Sequence, residues 1–200
     1  MTARWRVWGL PVAAFLLVLI AGAGGWLYLS HDAAQPVGGI GGPFALTDGA
    51  GHAVTDRDLR GRYLLVYFGY TFCPDVCPTT LTAVAGALDR LGKRAERLQP
   101  LFITVDPLRD TPRVVRDYAA AFSPRILGLT GTPEQIARVA RAYRVYYARH
   151  RTGEGPDDYT MDHSSILYLM GPQGRFIAPI AADEPAGQMA ADIARHMGAG

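Results

Sequence analysis

Cysteine is scarce in this sequence. The chain of 200 residues contains two cysteines, Cys73 and Cys77, separated by three residues. A single pair cannot supply the disulfide network that small secreted domains use in place of a core, and a chain of this size can bury a core of its own. No internal repeat is visible. The residues from Pro43 onward, about 155 in number, therefore suit one domain.

Charge is absent from a long stretch near the N-terminus. The 23 residues Val7–Leu29 include no charged side chain, and two arginines precede them. As a helix, this run would be roughly 34 Å long, enough to cross the hydrocarbon core of a bilayer. We therefore predict a cytoplasmic stub and a single transmembrane anchor over residues 1–30. Because the next arginine or lysine is Arg57, the positive-inside rule keeps the N-terminus in the cytoplasm.

A cleaved signal peptide is the alternative to this anchor, since the segment from Ala21 to Ala23 resembles a cleavage site. The apolar run is long for a signal peptide, which favours the anchor. We thus predict a protein of the inner (cytoplasmic) membrane whose C-terminal domain lies on the periplasmic side.

An excess of either charge is also lacking beyond the apolar run. Residues 31–200 carry 18 basic and 18 acidic side chains, so nothing in the charge indicates a nucleic-acid partner. Residues 31–42 are rich in glycine and alanine, which is typical of a flexible tether. We assign residues 43–200 to the exported domain.

Both cysteines lie where a predicted strand turns into a predicted helix. The run Tyr63–Phe68 is β-branched and aromatic enough for a buried strand. After the cysteines, residues 81–88 have apolar side chains at helical spacing, and Pro78 suits the first turn of a helix. Backbone N–H groups at a helix start favour the thiolate, which is both a nucleophile and a metal ligand.

The Cys-x-x-x-Cys spacing leaves several interpretations open. Residues at i and i+4 of a helical turn are close enough to form a disulfide or to bind one ion together. Two thiolates suit Cu(I) or, with further ligands, zinc. A structural disulfide would close a very short loop and would therefore remove little chain entropy.

The rest of the chain predicts alternating strands and helices. The expected elements are a hairpin over 44–48 and 52–55, a strand over 101–105, helices beginning at Pro112 and Pro133 with Thr111 and Thr132 as caps, an extended segment over 143–150, a polar loop over 151–158, a hairpin over 165–170 and 175–178, and a helix over 184–197. This order implies a mixed central sheet flanked by helices, and the thioredoxin-like fold fits it best. Working sites of such sheets lie at the carboxyl ends of the strands.

Three blocks of the sequence resemble the Sco/SenC family of cytochrome c oxidase assembly proteins. They are YFGYTFCPDVCP at Tyr67–Pro78, DPLRDTP at Asp106–Pro112, and the triplet Asp162–Ser164. The resemblance begins near Gly41 and extends to the last hairpin. Met161 departs from it, because a smaller aliphatic residue commonly precedes the Asp-His pair.

The resemblance implies a thioredoxin-like domain, a membrane tether and a copper site made by Cys73, Cys77 and His163, which holds Cu(I) and Cu(II). It also implies a metallochaperone that matures the binuclear copper site of oxidase subunit II, and partners that include this subunit, a copper donor protein or thiol reductant, and the membrane. The alternative is a thiol–disulfide oxidoreductase in which Cys73 and Cys77 are a redox dithiol that keeps the acceptor cysteines reduced. A thiol peroxidase is disfavoured, since its threonine and arginine pattern is absent.

Other polar residues near these blocks receive secondary roles. Asp75, between the cysteines, could tune the pKa of the thiols. Asp106 is expected to begin a turn before Pro107, and Arg109 and Asp110 could pair with each other. Asp162 could orient the ring of His163.

Overall fold

The structure, a computed structural model, describes residues 39–198. The predicted anchor at 1–30 and most of the predicted tether at 31–42 lie outside these residues. Within 39–198, no helix has both the length and the apolar character needed to cross a membrane.

Strands and helices alternate through the first half of the described residues, and strands dominate the second. The strands are β1 Ala45–Asp48, β2 Ala53–Thr55, β3 Tyr63–Gly69, β4 Leu98–Thr104, β5 Leu127–Thr130, β6 Tyr147–Arg151, β7 Tyr159–His163, β8 Ile166–Met170 and β9 Phe176–Ala181. The α-helices are α1 Val76–Leu91, α2 Pro112–Phe122, α3 Pro133–Ala142 and α4 Ala186–Met197, and a 3-10 helix occupies Gly92–Arg97.

Seven of these strands form one mixed sheet in the order β2-β1-β5-β4-β3-β8-β9. Strand β3 is parallel to β4 and antiparallel to β8, while β4 is also parallel to β5. Strands β6 and β7 form a separate two-stranded antiparallel sheet. The predicted mixed α/β sheet is therefore confirmed, and the hairpin of β6 and β7 is an addition to it.

The middle of the sheet is buried because its strands are almost continuously apolar. In β3, residues 64–69 are all buried, as expected for a parallel strand with both faces covered. Helix α1 packs against α4, and α2 packs against β5. The carboxyl ends of β3 and β4 consequently emerge together from a rigid core.

Two short strands escape detection from the sequence. Strand β5 has four residues and includes a glycine, so its hydrophobic pattern is too short to recognise. Strand β7 alternates buried and exposed side chains over five residues, between the loop predicted over 151–158 and the hairpin predicted from 165, where no element was predicted. In addition, β4 begins at Leu98 rather than at 101, because the segment before it ends as a 3-10 helix.

The two predicted helix caps differ in the structure. Thr132 forms the predicted capping box with Gln135 at the start of α3. Thr111 occupies the N-cap position of α2 but makes no capping hydrogen bond through its side chain. The position predicted for this cap is therefore correct, although its side chain does not cap the helix.

We predict that Gly128→Ala destabilises the domain, because helix α2 lies directly over this glycine. A Cβ atom on Gly128 would lie 2.6 Å from the carbonyl oxygen of Val115, and overpacking of this kind costs about 1–3 kcal/mol. Chemical denaturation would measure the loss. The control is Gly187→Ala in α4, where the nearest atom would be 3.8 Å away; it should be neutral or stabilising by up to about 1 kcal/mol. Equal stability of the two variants would contradict the prediction.

Candidate metal centre

Three chain segments meet at the carboxyl edge of the central strands. The first is the loop from Tyr70 to Asp75, which connects β3 to α1. The second is the turn that follows β4, and the third is the end of β7 at His163, just before β8 begins. A backbone hydrogen bond of 2.8 Å from Val105 N–H to the Gly69 carbonyl continues the strand pairing into this edge. Segments far apart in sequence are thereby fixed next to each other.

The two cysteines are free thiols in unequal surroundings. Cys77, in the first turn of α1, is fully buried, whereas Cys73 is partly exposed just before the helix. The backbone N–H of Cys77 points at the Cys73 sulfur at 3.4 Å. The hydroxyl of Tyr67 lies 3.7 Å from the Cys77 sulfur. The sulfur of Cys73, the outer sulfur, therefore accepts a hydrogen bond from the backbone at the start of the helix. The sulfur of Cys77, the inner sulfur, contacts the core.

These surroundings separate the acidities of the two thiols. The hydrogen bond from the Cys77 thiol, together with backbone N–H groups, lowers the pKa of Cys73 to about 5. The pKa of Cys77 is raised above its ordinary value because its thiol donates its proton in a hydrogen bond to the Cys73 sulfur, and because the thiol is buried. At neutral pH the pair thus holds one proton on the inner sulfur and a negative charge on the outer one.

Gly69 at the end of β3 makes room for the inner sulfur. A Cβ atom at this position would lie 2.8 Å from Sγ of Cys77 and 2.8 Å from the ring of Phe102. No side chain fits such a gap without displacing one of them. Glycine in a strand signals a close approach of this kind, so this contribution to the site was visible in the sequence and was missed.

His163 reaches the cysteines from the separate hairpin. Its Nε2 atom lies 3.4 Å from Sγ of Cys77, and its Nδ1 atom lies 3.2 Å from the carbonyl oxygen of Ser164. A carbonyl can only accept, so this contact favours the proton on Nδ1 and leaves the lone pair of Nε2 directed at the sulfurs. The rings of Tyr67 and Tyr70 meet the imidazole edge-on, each at 6.0 Å between centroids.

The donor atoms of Cys73, Cys77 and His163 all lie within 4.8 Å of one another. The structure therefore brings together all three residues that the sequence singled out as ligands, across 86 positions of chain between Cys77 and His163. Two sulfurs and one imidazole nitrogen at this spacing could hold one soft or borderline ion.

Asp110 holds the loop that carries Cys73. Its fully buried carboxylate accepts hydrogen bonds from Thr71 N–H at 3.0 Å, from the Thr71 hydroxyl at 2.6 Å and from the Thr104 hydroxyl at 2.6 Å. Burial raises its pKa, although the threonine hydrogen bonds act in the opposite direction. Thr71 lies two residues before Cys73, so the carboxylate fixes the start of the loop.

Arg109 does not pair with Asp110, and that expectation is wrong. It instead makes a nearly buried ion pair with Asp106, at 2.5 Å between Nε and Oδ2. Asp106 also accepts a hydrogen bond of 2.8 Å from the hydroxyl of Tyr159 in β7. The turn predicted at Asp106 is present, with Asp110 N–H bonded to its carbonyl oxygen. The reason for the different pairing is that Asp110 is turned toward the cysteine loop and Asp106 toward the hairpin.

The predicted support of His163 by Asp162 is also wrong. Neighbouring residues of a strand point to opposite faces, and Asp162 pairs with His150 of β6 at 2.9 Å on the exposed side. Asp75 is exposed, and its backbone N–H is one of the groups that lower the pKa of Cys73. The remaining described histidines, His52 and His196, lie away from the cysteines in the chain and are exposed.

The sequence is similar to those of known proteins. The SCO1/SenC family profile matches residues 32–198. The human protein named SCO1 homolog, mitochondrial, is 46% identical over 160 residues, which cover 79% of this chain and 53% of the human one. The SenC protein of Rhodobacter capsulatus is 47% identical over 138 residues, which cover 69% of this chain and 62% of SenC. This chain therefore spans little more than half the length of such relatives.

Solved structures share the same architecture. Copper-bound ScoI of Bradyrhizobium japonicum is 47% identical, with a TM-score of 0.72 over 78% of this chain and 99% of that one. Copper-bound yeast Sco1 is 38% identical, with a TM-score of 0.74 over 80% of this chain and 88% of that one. The thioredoxin-like character of the domain is thus confirmed.

We predict that alkylation by iodoacetamide occurs first at Cys73 in the reduced, metal-free protein. The thiolate is the reactive form, so the rate should rise as the pH rises through about 5, the pKa of Cys73, and should then level off below neutrality. Mass-spectrometric mapping would show little product at buried Cys77. In denaturant both thiols should titrate near their ordinary value of 9.0. A rate that still climbs steeply between pH 7 and 9 in the folded protein would contradict this.

Proposed function

This chain belongs to the SCO1/SenC family, and from this premise we propose that it is a copper chaperone for cytochrome c oxidase. In this proposal Cys73, Cys77 and His163 bind copper as cargo, and the protein delivers it to the binuclear copper site of oxidase subunit II. The observation that carries the proposal is the clustering of three donor atoms within 4.8 Å at one sheet edge.

The donor set suits copper in both of its common valences. Thiolates are soft ligands that favour Cu(I), whereas imidazole is borderline and also serves Cu(II). Cys73 supplies a thiolate at neutral pH because its pKa is about 5. Cys77 has to give up its proton when the ion binds, as thiol ligands generally do. The residues present therefore fit a copper ion without further ligands from this chain.

A chaperone has to release its metal, and the distribution of the ligands supports this requirement. Both cysteines lie on the loop and helix that follow β3, whereas His163 lies on a hairpin outside the seven-stranded sheet. The imidazole can therefore leave or join the site without any change in the central sheet. The two sulfurs then retain Cu(I) until an acceptor offers its own thiolates.

The proposal places the domain of residues 43–200 outside the cytoplasm, tethered by the anchor over residues 1–30. Its partners in this proposal are subunit II and a copper donor protein or thiol reductant. The support for the anchor is the uncharged run Val7–Leu29 and the arginines before it.

A second function, reduction of the acceptor cysteines, is favoured by the unequal thiols. A dithiol reductant needs one nucleophilic thiolate and a second thiol that resolves the mixed disulfide. The lowered pKa of Cys73 and the raised pKa of Cys77 provide this pair. Copper transfer requires reduced cysteines in donor and acceptor, so one protein can perform both steps.

We predict that substitutions of the three ligands separate copper carriage from dithiol chemistry. In the full chain, Cys73→Ser and Cys77→Ser should each abolish tight binding of about one copper per chain, because two thiolates are needed for Cu(I). His163→Ala should still bind Cu(I). Its affinity for Cu(II) should fall by more than about 10- to 100-fold, which is the loss expected when a residue that only supports a metal ligand is removed. Competition titrations with chelators for each valence would measure both affinities.

The matched control for the histidine is His150→Ala, on the opposite face of the same hairpin, where it pairs with Asp162. It should bind both valences as the parent does. Parental Cu(II) binding by His163→Ala would remove the histidine from the site. A parent chain that binds no copper but reduces the acceptor disulfide would leave the reductase as the function.

We also predict that the full chain fractionates with membranes, because the uncharged run Val7–Leu29 is long enough to cross a bilayer. A reporter fused after Gly42 should be exported, because the arginines before this run keep the N-terminus in the cytoplasm. Alkaline phosphatase activity of the fusion would measure export, and N-terminal sequencing would locate the mature start. A soluble product that begins near residue 24 would show a cleaved signal peptide instead.

A further inference from the structure

The hairpin that carries His163 has no backbone ladder to the main sheet. Within residues 39–198, strands β6 and β7 pair only with each other. The position of the imidazole over the sulfurs therefore depends on the short connection from His163 to β8 and on side-chain contacts along β7. Residues 159, 161 and 163 share one face of this strand, since side chains alternate, and residues 159 and 161 are buried.

Arg109 makes several of the polar contacts between this face and the rest of the domain. Others are the hydroxyl of Tyr159 on Asp106 and the hydroxyl of Tyr70, which is hydrogen-bonded to the backbone of Met161. Its Nη1 atom donates to the carbonyl oxygen of Tyr159 at 3.0 Å and to that of Asp157 at 3.3 Å. Its Nε atom is bonded to Asp106, which also accepts the hydroxyl of Tyr159. One guanidinium thus joins the turn after β4 to both the backbone and the side chain of β7.

The same guanidinium also contacts the cysteine loop. It lies over the ring of Tyr159 with its carbon 3.6 Å from the centroid, and its carbon is 4.7 Å from the centroid of Phe72. Phe72 directly precedes Cys73 in the chain. The arginine side chain is only 10% exposed and Asp106 only 1%, so water competes little with these contacts. The group therefore lies between the segment that carries the thiolate and the segment that carries the histidine.

We propose that Arg109, with Asp106 and Tyr159, is a positioning residue that sets the distance between His163 and the two sulfurs and so determines affinity for Cu(II). The inference rests on the proposed copper function. Planar guanidinium makes several directed bonds and stacks on aromatic rings at the same time, which an ammonium group does not. Arg109→Lys is consequently a severe change here, even though it keeps the charge.

The test compares two arginines that stack on one ring. Arg149 of β6 lies 4.1 Å from the centroid of Tyr159, but its stacking partner lies within its own hairpin. Arg109→Gln and Arg109→Lys should each weaken Cu(II) binding by the about 10- to 100-fold typical of groups that orient a ligand. Cu(I) affinity should change by less than about threefold, because the dithiol keeps Cu(I) without the imidazole. Arg149→Gln should alter neither affinity. The Cu(II)–thiolate absorption band should shift in the Arg109 variants alone.

Tyr159→Phe provides a second variant that keeps the ring and removes only the hydroxyl bonded to Asp106. It should show the same preference for losing Cu(II), to a smaller degree than the Arg109 variants. Unchanged Cu(II) affinity in the Arg109 variants, or equal losses for both valences, would overturn the inference.

Hydrogen exchange in the copper-free full chain separates this inference from the proposed function. The amides of residues 159–164 should exchange faster in Arg109→Gln than in Arg149→Gln, because fewer contacts oppose opening of the hairpin. If the parent bound no copper, the proposed function would fail, and this exchange experiment would still decide whether Arg109 positions the hairpin. Equal exchange in the two variants would refute that role.

Discussion

The parallel pairing of β3 with β4 is the constraint on which the site depends. Gly69 and Thr104 are partners at the end of this register, so the cysteine loop and the turn from Asp106 to Asp110 begin side by side. Because both strands are buried in the core, neither can slip without exposing an entire face of apolar residues. The two segments can then be joined by short hydrogen bonds between buried polar groups, as between Asp110 and Thr71. A buried carboxylate with three donors is stable only in such a fixed frame.

The turn after β4 performs two separate tasks at its two acidic residues. Asp110 fixes the loop before Cys73, while Asp106 and Arg109 hold the hairpin that ends at His163. The acidity of the Cys73 thiol is set by the start of α1, where the Cys77 thiol and backbone N–H groups stabilise negative charge on the Cys73 sulfur. Geometry and acidity thus come from different parts of the fold, and a substitution can change one while leaving the other nearly intact.

Much of this arrangement could be predicted from the sequence, and the rest fails for identifiable reasons. Long apolar runs such as Tyr63–Phe68, and capping residues such as Thr132, correctly predicted the sheet and the helices. Local spacing also identified both cysteines. The position of His163 came from a family resemblance, since no local signal brings residues 86 positions apart together. The pairing of Arg109 was misjudged because adjacent residues invite a pairing between immediate neighbours. Its true partners are Asp106, three residues earlier in the same turn, and Tyr159, which becomes a neighbour only after β7 packs on the edge.

The separate hairpin has a consequence for how the affinity of the site can be adjusted. If the competent arrangement of the hairpin is populated for only part of the time, the apparent dissociation constant for an ion held by all three ligands rises by the inverse of that fraction. Any protein that competes for the buried face of Tyr159 and Met161 would then lower this fraction without touching a sulfur. If the proposed copper function holds, the two sulfurs alone can retain Cu(I), whereas the docking of a five-residue strand sets how tightly Cu(II) is held.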